Sequence, residues 1–310
     1  MDIFDTWQGL GERYKNLHIG LGNFDGLHLG HQHLISELVN KAGKEGGVPG
    51  VFTFYPHPMK VLNPEGAPPM LLNQQAKQKM IAGMGVEVLL LVPFTPEFAS
   101  LDPDLFIAEV LCRELKTCSV CIGYNYTFGR GGKGNPETLI KAGRDYGFEV
   151  NVIPPVTIEG TPVSSTLIRG LLADGEVVEA RKYLGYCPFL DGEVVPGEMR
   201  GRTLGFPTAN IDLENDILVP ANGVYAVKVR VDGDNYLGVA NIGVKPTFHG
   251  EGLRRNLEVH LLDFYGDLYG KKIKVYFTGR LREEKRFSSP GELVEQIRID
   301  ISKARIQSQQ

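Results

Sequence analysis

A chain of 310 residues, 42% hydrophobic and 23% charged, has the makeup of a globular protein, and its length points to about two domains, each with its own core. A formal net charge of −4 and a pI near 6.0 give no global attraction for nucleic acid or for an anionic membrane, so neither is expected as a partner. No apolar leader follows Met1, and the longest apolar run, Val86 to Phe94, is broken by Glu87 and Pro93 and is far too short to span a bilayer, so the expected location is the cytoplasm.

From Leu17 to about Gly185 the pattern alternates between strand and helix. Leu17 to Leu21, Val48 to Phe54, Val88 to Val92, Ser119 to Ile122 and Phe148 to Ile153 read as strands. Helical stretches follow at Leu34 to Ala42, Gln74 to Met84, Pro103 to Leu115 and Pro136 to Tyr146, with two short ones between Ser165 and Leu184. Such alternation predicts a Rossmann-like α/β domain whose mostly parallel sheet binds ligands outside the carboxyl ends of its strands. After about Tyr186 the texture changes to short alternating runs such as Tyr225, Val227, Val229 and Val231 set against Lys228 and Arg230. These predict antiparallel strands closed into a small β-barrel. A C-terminal helix then begins at Ser289-Pro290-Gly291-Glu292 and carries Leu293, Ile297, Ile301 and Ala304 on one stripe. The expected domains are therefore residues 1–185 and 186–310, with the hinge at Gly185 to Cys187.

The most informative segment is Gly20-Leu-Gly-Asn-Phe-Asp-Gly-Leu-His-Leu-Gly-His31, which bridges a predicted strand and helix. Gly22 and Gly26 let the backbone turn tightly and approach a ligand, and the N–H groups at the helix start favour an anion. His28 and His31, three apart, are expected on one helix face, where they can donate hydrogen bonds to a phosphoryl group and its pyrophosphate leaving group. A His-x-x-His alone is compatible with a solvated cluster, with Asp25 a mere cap. The preceding Gly22-Asn23-Phe24-Asp25-Gly26 favours nucleotidyl transfer.

Other segments are individually weaker. Tyr55-Pro56-His57-Pro58 presents His57 stiffly at a strand end, as an ordinary proline turn also would. Gly123 to Gly129 offers Tyr124, Tyr126 and Phe128 to a flat ring and Asn125 to polar edges, or it simply packs on its own domain. Ser164, Ser165 and Thr166 open a helix with Arg169 one turn in, either as a second arm for a triphosphate or as a plain cap. Gly201-Arg202-Thr203-Leu204-Gly205-Phe206-Pro207-Thr208-Ala209-Asn210 resembles a phosphate loop without the Lys-Ser/Thr ending of a Walker A motif. In it Arg202 can offset phosphate charge, and Thr208 with Asn210 can present oxygens to Mg²⁺. Glu258 and His260 share one face of a predicted strand, where Glu258 can take a hydroxyl proton if that face lines a pocket rather than solvent. The four cysteines, Cys112, Cys118, Cys121 and Cys187, are expected as packed, reduced thiols. The Cys118-x-x-Cys121 pair has no second pair or nearby His for a metal.

Together these segments resemble the prokaryotic bifunctional riboflavin kinase/FMN adenylyltransferase family, the FAD synthetases, over nearly the whole chain. Gly22 to His31 is similar to its nucleotidyltransferase signature, and Gly201 to Asn210 to its kinase loop. Pro220 to Tyr225, Asn241 to Phe248 and Glu258 to His260 continue the kinase pattern in order. The resemblance implies that the barrel phosphorylates riboflavin to FMN with ATP, Glu258 being the base and Thr208 and Asn210 holding Mg²⁺ and phosphates alongside Gly201, Arg202 and Gly205. It implies that the first domain joins FMN to a second ATP, releasing pyrophosphate and giving FAD. There Gly22, Asn23, Phe24, Asp25, Gly30, Asn125, Ser164, Ser165, Thr166 and Arg169 would bind the nucleotide with His28 and His31, and His57, Tyr126 and Phe206 would contact flavin. Two positions depart from the family pattern: Pro196 stands where a His often precedes Gly197, and Asn125 where Asp is common. The histidine signature alone also fits a single-activity nucleotidyltransferase with another phosphate acceptor, a reading that the second domain's motifs oppose. An RNA-gripping barrel and a noncatalytic flavin binder are further alternatives, the first disfavoured by the acidic balance. Oligomeric state is not legible.

Overall fold

The computed structural model describes residues 1–197, 201, 204–246 and 253–308. Its contacts divide the chain into two compact units, Met1–Ser164 and Ser165–Gln310.

The first unit is built on a six-stranded sheet made of β1 (Asp2–Phe4), β2 (Leu17–Leu21), β3 (Val48–Phe54), β4 (Val88–Val92), β5 (Ser119–Gly123) and β6 (Glu149–Ile153). Every pairing is parallel, in the order β1-β4-β3-β2-β5-β6. β2 is buried along its whole length, as a strand covered on both faces must be, which is why its sequence reads as a nearly continuous apolar run. The five strands expected from the sequence are all present. β1 was not expected, because three residues at a sheet edge are too few to show a period. The helix Leu29–Lys44 packs on β2, β3 and β5 through Leu34, Ile35, Leu38 and Ala42. Between Pro103 and Leu115, where the periodicity predicts one regular helix, a short α-helical turn leads into a π-helix at Phe106–Glu114. Phe52, Phe106 and Phe128 anchor a core against which Trp7, Phe54 and Phe98 pack.

β2 lies between β3 and β5: the chain runs outward from it through β3 to β4 and then crosses back to β5 on its other side. This is the topological switch point at which open parallel sheets bind ligands. The carboxyl ends of β3, β2 and β5 feed directly into Tyr55 to Pro58, Gly22 to His31 and Tyr124 to Gly129, so three separately noted segments leave neighbouring strands at one edge of the sheet. β7 (Thr157–Ile158) and β8 (Thr161–Pro162) form a small hairpin before the second unit.

The second unit contains a closed antiparallel barrel of β9 (Phe189–Val195), β10 (Ala209–Asp212), β11 (Gly223–Val231), β12 (Asp234–Pro246), β13 (Leu253–Leu261) and β14 (Lys272–Arg282), in the order β10-β13-β12-β11-β14-β9. β9 also pairs with β10, which closes the ring. The expected alternation in β11 is present, with Tyr225, Val227, Val229 and Val231 buried and Lys228 and Arg230 exposed. The two short helices, Ser165–Ala173 and Val177–Leu184, pack with the barrel. Ala221 N–H donates to Leu172 O at 3.0 Å, and Arg280 reaches the Asp174 carbonyl at 3.4 Å. Contacts therefore divide ahead of these helices, whereas the expected hinge follows them.

The C-terminal helix, Pro290–Gln307, starts at Ser289, whose hydroxyl accepts the Glu292 N–H. The expected stripe is interrupted at its centre by buried Asp300, which takes both oxygens to Arg282 of β14. Helical periodicity in apolar residues cannot reveal such a pairing, because the residue that ties the helix to the barrel is charged.

Among the described residues no helix is long and apolar enough to cross a membrane. All four cysteines are free, and burial pushes the Cys121 thiol up to about 12. His18, fully buried in β2, pairs Nδ1 with the Ser119 hydroxyl at 2.7 Å. Burial holds its pKa below the ordinary value, opposed in part by the Glu45 carboxylate 3.7 Å away. The folded state thus favours neutral imidazole, while the unfolded chain takes up a proton from about pH 6.5 downward. The first unit should keep its full stability above that pH and lose stability as the pH falls below it. His18→Gln should flatten that acid limb in urea unfolding curves collected from pH 7.5 to 5.

Candidate active sites

The turn after β2 is shaped by left-handed residues. Phe24, Gly26 and Leu27 have φ of 51°, 79° and 36°, and for the two non-glycines each such conformation costs about 1–3 kcal/mol. A Cβ on Gly26 would stand 2.6 Å from Leu71 Cδ1, so glycine there answers both conformation and space. Phe24, fully buried, pins the turn into the core, and Asp25, 2% exposed, accepts the Leu71 N–H at 3.0 Å. Asp25 therefore ties a second loop to the turn, beyond the local cap considered from sequence. Asn23 is exposed.

His28 and His31 do not both sit on the helix. His28 is its N-cap, with φ −65° and ψ 172°, and its Nδ1 accepts the His31 N–H at 3.3 Å. The cap nonetheless folds the His28 ring onto His31, and the two imidazoles stack at 3.6 Å between centroids with 14° between planes. A Cβ on Gly30 would approach His28 Cε1 to 3.2 Å, so the glycine between the histidines makes room for the stack. Because His28 Nδ1 accepts, its neutral ring carries the proton on Nε2. Burial, then the neighbouring His28 and Lys77, hold His31 well below the usual imidazole range, and its buried Nδ1 has no hydrogen-bond partner. His31 is a neutral imidazole at physiological pH, able to donate from one nitrogen.

Beneath the turn lies a residue that sequence reasoning missed. Lys77 of the helix Gln74–Gly83 is 2% exposed and donates to Asn23 O at 2.6 Å and Thr53 Oγ1 at 2.9 Å. Its signal was the helical spacing of Ala76, Lys77 and Ile81 on one buried face, where a lysine is out of place.

His57 caps the short helix Pro58–Leu62, with Nδ1 accepting the Met59 N–H at 3.2 Å. Asn125 is exposed in the turn that Tyr126 N–H closes onto Gly123 O at 3.1 Å. Tyr126 stacks on Phe128 at 5.9 Å, and burial raises its phenol pKa. Ser164 ends the first unit. Ser165, Thr166 and Arg169 open the first helix of the second, with Thr166 exposed and Arg169 half-buried.

In the barrel, Leu257, Val259 and Leu261 point to the interior and Glu258 and His260 to the opposite face. Directly opposed residues share a face, so the registers Asn210↔Glu258 and Asn241↔Glu258 set Asn210, Glu258 and Asn241 in a row across β10, β13 and β12. Asn256 donates to Glu258 Oε1 at 2.9 Å and to Asn210 Oδ1 at 3.4 Å, and the Thr208 hydroxyl reaches Glu258 Oε2 at 3.5 Å. Asn256 is a second residue the sequence reading did not assign. The half-buried Glu258 is thus held by a polar network. His260 donates from Nδ1 to Pro207 O at 2.7 Å and meets Phe206 edge to face at 5.7 Å, so it shapes the loop ahead of Thr208.

Gly201 O accepts the N–H groups of Leu204 and Phe206, which closes the phosphate-loop candidate as a turn, and Gly205 has φ 87°. Arg202 lies outside the described residues, as do Thr247 and Phe248. Pro196 is exposed at the end of β9. A Cβ on the following Gly197 would fall 1.9 Å from Asn210 Nδ2. The oxygens of Thr208, Asn210 and Glu258 form the hard donor set that suits Mg²⁺.

The two halves of the chain match two family profiles, FAD synthetase over residues 11–167 and riboflavin kinase over residues 184–307. Curated bifunctional riboflavin kinase/FMN adenylyltransferases from Bacillus subtilis and Escherichia coli K12 are each 40% identical to it, covering 92% of this chain and 90% of theirs. The chain belongs to the bifunctional riboflavin kinase/FMN adenylyltransferase family. The Listeria monocytogenes member is 38% identical over 96% of this chain and 92% of its own. A crystal structure from Streptococcus pneumoniae titled a macrolide-efflux protein superimposes with TM-score 0.89 at 34% identity, covering 98% of each chain.

Gly197→Ala should displace the Asn210 amide and lower the riboflavin-phosphorylating rate at least about tenfold while leaving FMN adenylylation unchanged, measured separately with riboflavin and with FMN as substrate.

Proposed function

We propose that this protein makes FAD in two steps at two sites, with the barrel phosphorylating riboflavin and the parallel-sheet unit adenylylating FMN. The observation that carries the reading is the presence in one chain of a stacked imidazole pair at a sheet switch point and a carboxylate held among amide and hydroxyl groups on a barrel face.

In the first step Glu258 takes the proton of riboflavin's terminal ribityl hydroxyl as that oxygen attacks the γ-phosphorus of ATP, and ADP leaves. Asn256 fixes one carboxylate oxygen and the Thr208 hydroxyl reaches the other, so the carboxylate is oriented as it takes that proton. Thr208 and Asn210 would hold Mg²⁺, which supplies charge neutralisation at the phosphates when bound. Gly201, Arg202 and Gly205 would complete the phosphate loop, and Phe206 would pack against the flavin.

In the second step a phosphate oxygen of FMN attacks the α-phosphorus of another ATP, the bond to the bridging oxygen breaks, and pyrophosphate departs. No covalent enzyme intermediate is needed, so alignment and charge stabilisation dominate. His28 donates from Nε2 and neutral His31 donates one N–H to the phosphoryl oxygens as their charge grows. Gly22, Asn23, Phe24, Asp25 and Gly30 shape the turn under the nucleotide. Asn125, Ser164, Ser165, Thr166 and Arg169 orient the reactants, and His57 and Tyr126 border the flavin. The domain functions divide at residue 185, and the enzyme works in the cytoplasm.

Incubation with riboflavin, ATP and Mg²⁺, followed by chromatography of the flavins, should give FMN and then FAD. His31→Ala should cut FAD formation by about 10²- to 10³-fold with phosphorylation intact. Glu258→Gln should cut phosphorylation by about 10²- to 10⁴-fold while FMN supplied directly is still converted to FAD. Unchanged FAD formation in His31→Ala would remove the imidazole pair from its role.

A further inference from the structure

A lysine ammonium enclosed by protein is costly, and a methionine would fill the same space without that cost. Lys77 is 2% exposed, and its three neighbours come from two segments: Asn23 and Asp25 in the turn after β2, and Thr53 near the end of β3. The contact with Asn23 is to the main-chain carbonyl, which also accepts from Thr53 Oγ1 at 3.1 Å. One carbonyl oxygen thus takes two donors at the point where the chain turns into the left-handed residues Phe24, Gly26 and Leu27. The same turn is also held by the Leu27 N–H to Phe24 O contact at 3.4 Å, the Gln32 amide to Leu27 O at 2.7 Å and the Asp25 link to Leu71.

We propose that Lys77 is a positioning residue for adenylyl transfer: by gripping the Asn23 carbonyl from below, it holds the turn in the shape that stacks His28 on His31. This rests on the assignment of FMN adenylylation to the histidine turn. The charge has a second effect on the same pair. Burial pushes the ammonium down to about 8 against the pull of Asp25, so at neutral pH it is still predominantly charged. As one of the two cationic or titratable groups that face His31, the other being His28, it helps to keep that imidazole neutral. A neutral His31 keeps its second nitrogen unprotonated, so the two rings stack without charge repulsion between them. Lys77 therefore acts through the histidines and touches no reactant.

The test uses the full-length enzyme and two variants, Lys77→Met and Thr53→Val, with riboflavin phosphorylation by the same chain as an internal measure of intact protein. Lys77→Met should lower kcat for FMN adenylylation by about 10²-fold, the cost of a displacement near 1 Å at reacting groups, with KM for ATP changed by less than about threefold. In histidine-labelled protein the His31 resonance should keep its full intensity and its titration midpoint should rise, because a nearby positive charge has gone. Thr53→Val, which removes one of the two donors to Asn23 O, should lower kcat by about tenfold in the same direction. Should Lys77→Met fail to fold, Thr53→Val decides, and unchanged adenylylation in that variant overturns the proposal. Adenylylation within twofold of the parent in folded Lys77→Met overturns it too, as does a lowered kcat with an unmoved His31 midpoint. His31→Ala is run alongside. If His31→Ala also leaves FAD formation unchanged, the site assignment itself is wrong. If His31→Ala abolishes FAD formation and Lys77→Met does not, only the lysine's role falls.

Discussion

The imidazole stack depends on how the chain leaves β2. A regular helix start would put His28 and His31 on one face with their rings directed outward, held by nothing but their own spacing. Here the strand ends in a turn with three left-handed residues, and His28 stops short of the helix and caps it. The cap's hydrogen bond to the His31 N–H fixes His28's tautomer and brings its ring over its neighbour. One hydrogen bond thus sets both the shape of the helix start and the identity of the nitrogen that can donate to a phosphate. The strain is offset by burial of Phe24, by the Asp25 tie to Leu71 and by the contacts of Lys77, none of which touches the reacting groups.

The barrel arrives at a polar site by a different route. Strand alternation sends Leu257, Val259 and Leu261 inward, so Glu258 must lie on the opposite face, the usual place for a solvated residue. Closure of β10 against β13 brings Asn210 directly opposite it, and β12 brings Asn241 from the other side. The carboxylate is consequently flanked by amides from neighbouring strands and oriented by Asn256 on its own strand. Every inner-strand residue has lateral neighbours, and what sets Glu258 apart is that Asn256 and Thr208 hydrogen-bond its carboxylate.

How much of this was legible follows from what each signal measures. Apolar periodicity located five of the six strands of the sheet, the barrel alternation and the C-terminal helix, because burial imposes those periods directly. It said nothing of Asp300 in the middle of that helix's stripe, since a charge paired to Arg282 looks like an interruption. The histidine spacing was visible, but the expectation that both rings share a helix face assumed helical geometry for His28, which capping removes. Lys77 and Asn256 escape a motif reading for different reasons. Lys77 acts on a turn 54 positions away in sequence, and a short motif records only neighbours along the chain, whereas Asn256 lies two residues before Glu258 on one strand face, where an amide reads as an ordinary solvated residue. Lys77 left one trace, a cation on the buried face of a helix, which is worth treating as a query wherever it occurs.

The two sites also differ in the charge they present, and the chemistry explains why. Phosphorylating a neutral hydroxyl requires removal of a proton, so a carboxylate acceptor oriented by an amide is appropriate. Joining FMN to a nucleotide starts from a phosphate oxygen that is already anionic, and a base there would have no proton to take. The difficulty is instead the approach of two anions and the charge gathered on departing pyrophosphate, which calls for donors and withheld negative charge. Neutral imidazoles at a helix start, with a buried ammonium below them and the one carboxylate of the turn, Asp25, engaged with the Leu71 N–H, meet that demand. A carboxylate in place of either histidine would repel the attacking phosphate, and an imidazole in place of Glu258 would leave the network of Asn256 and Thr208 without the anion that their donors orient.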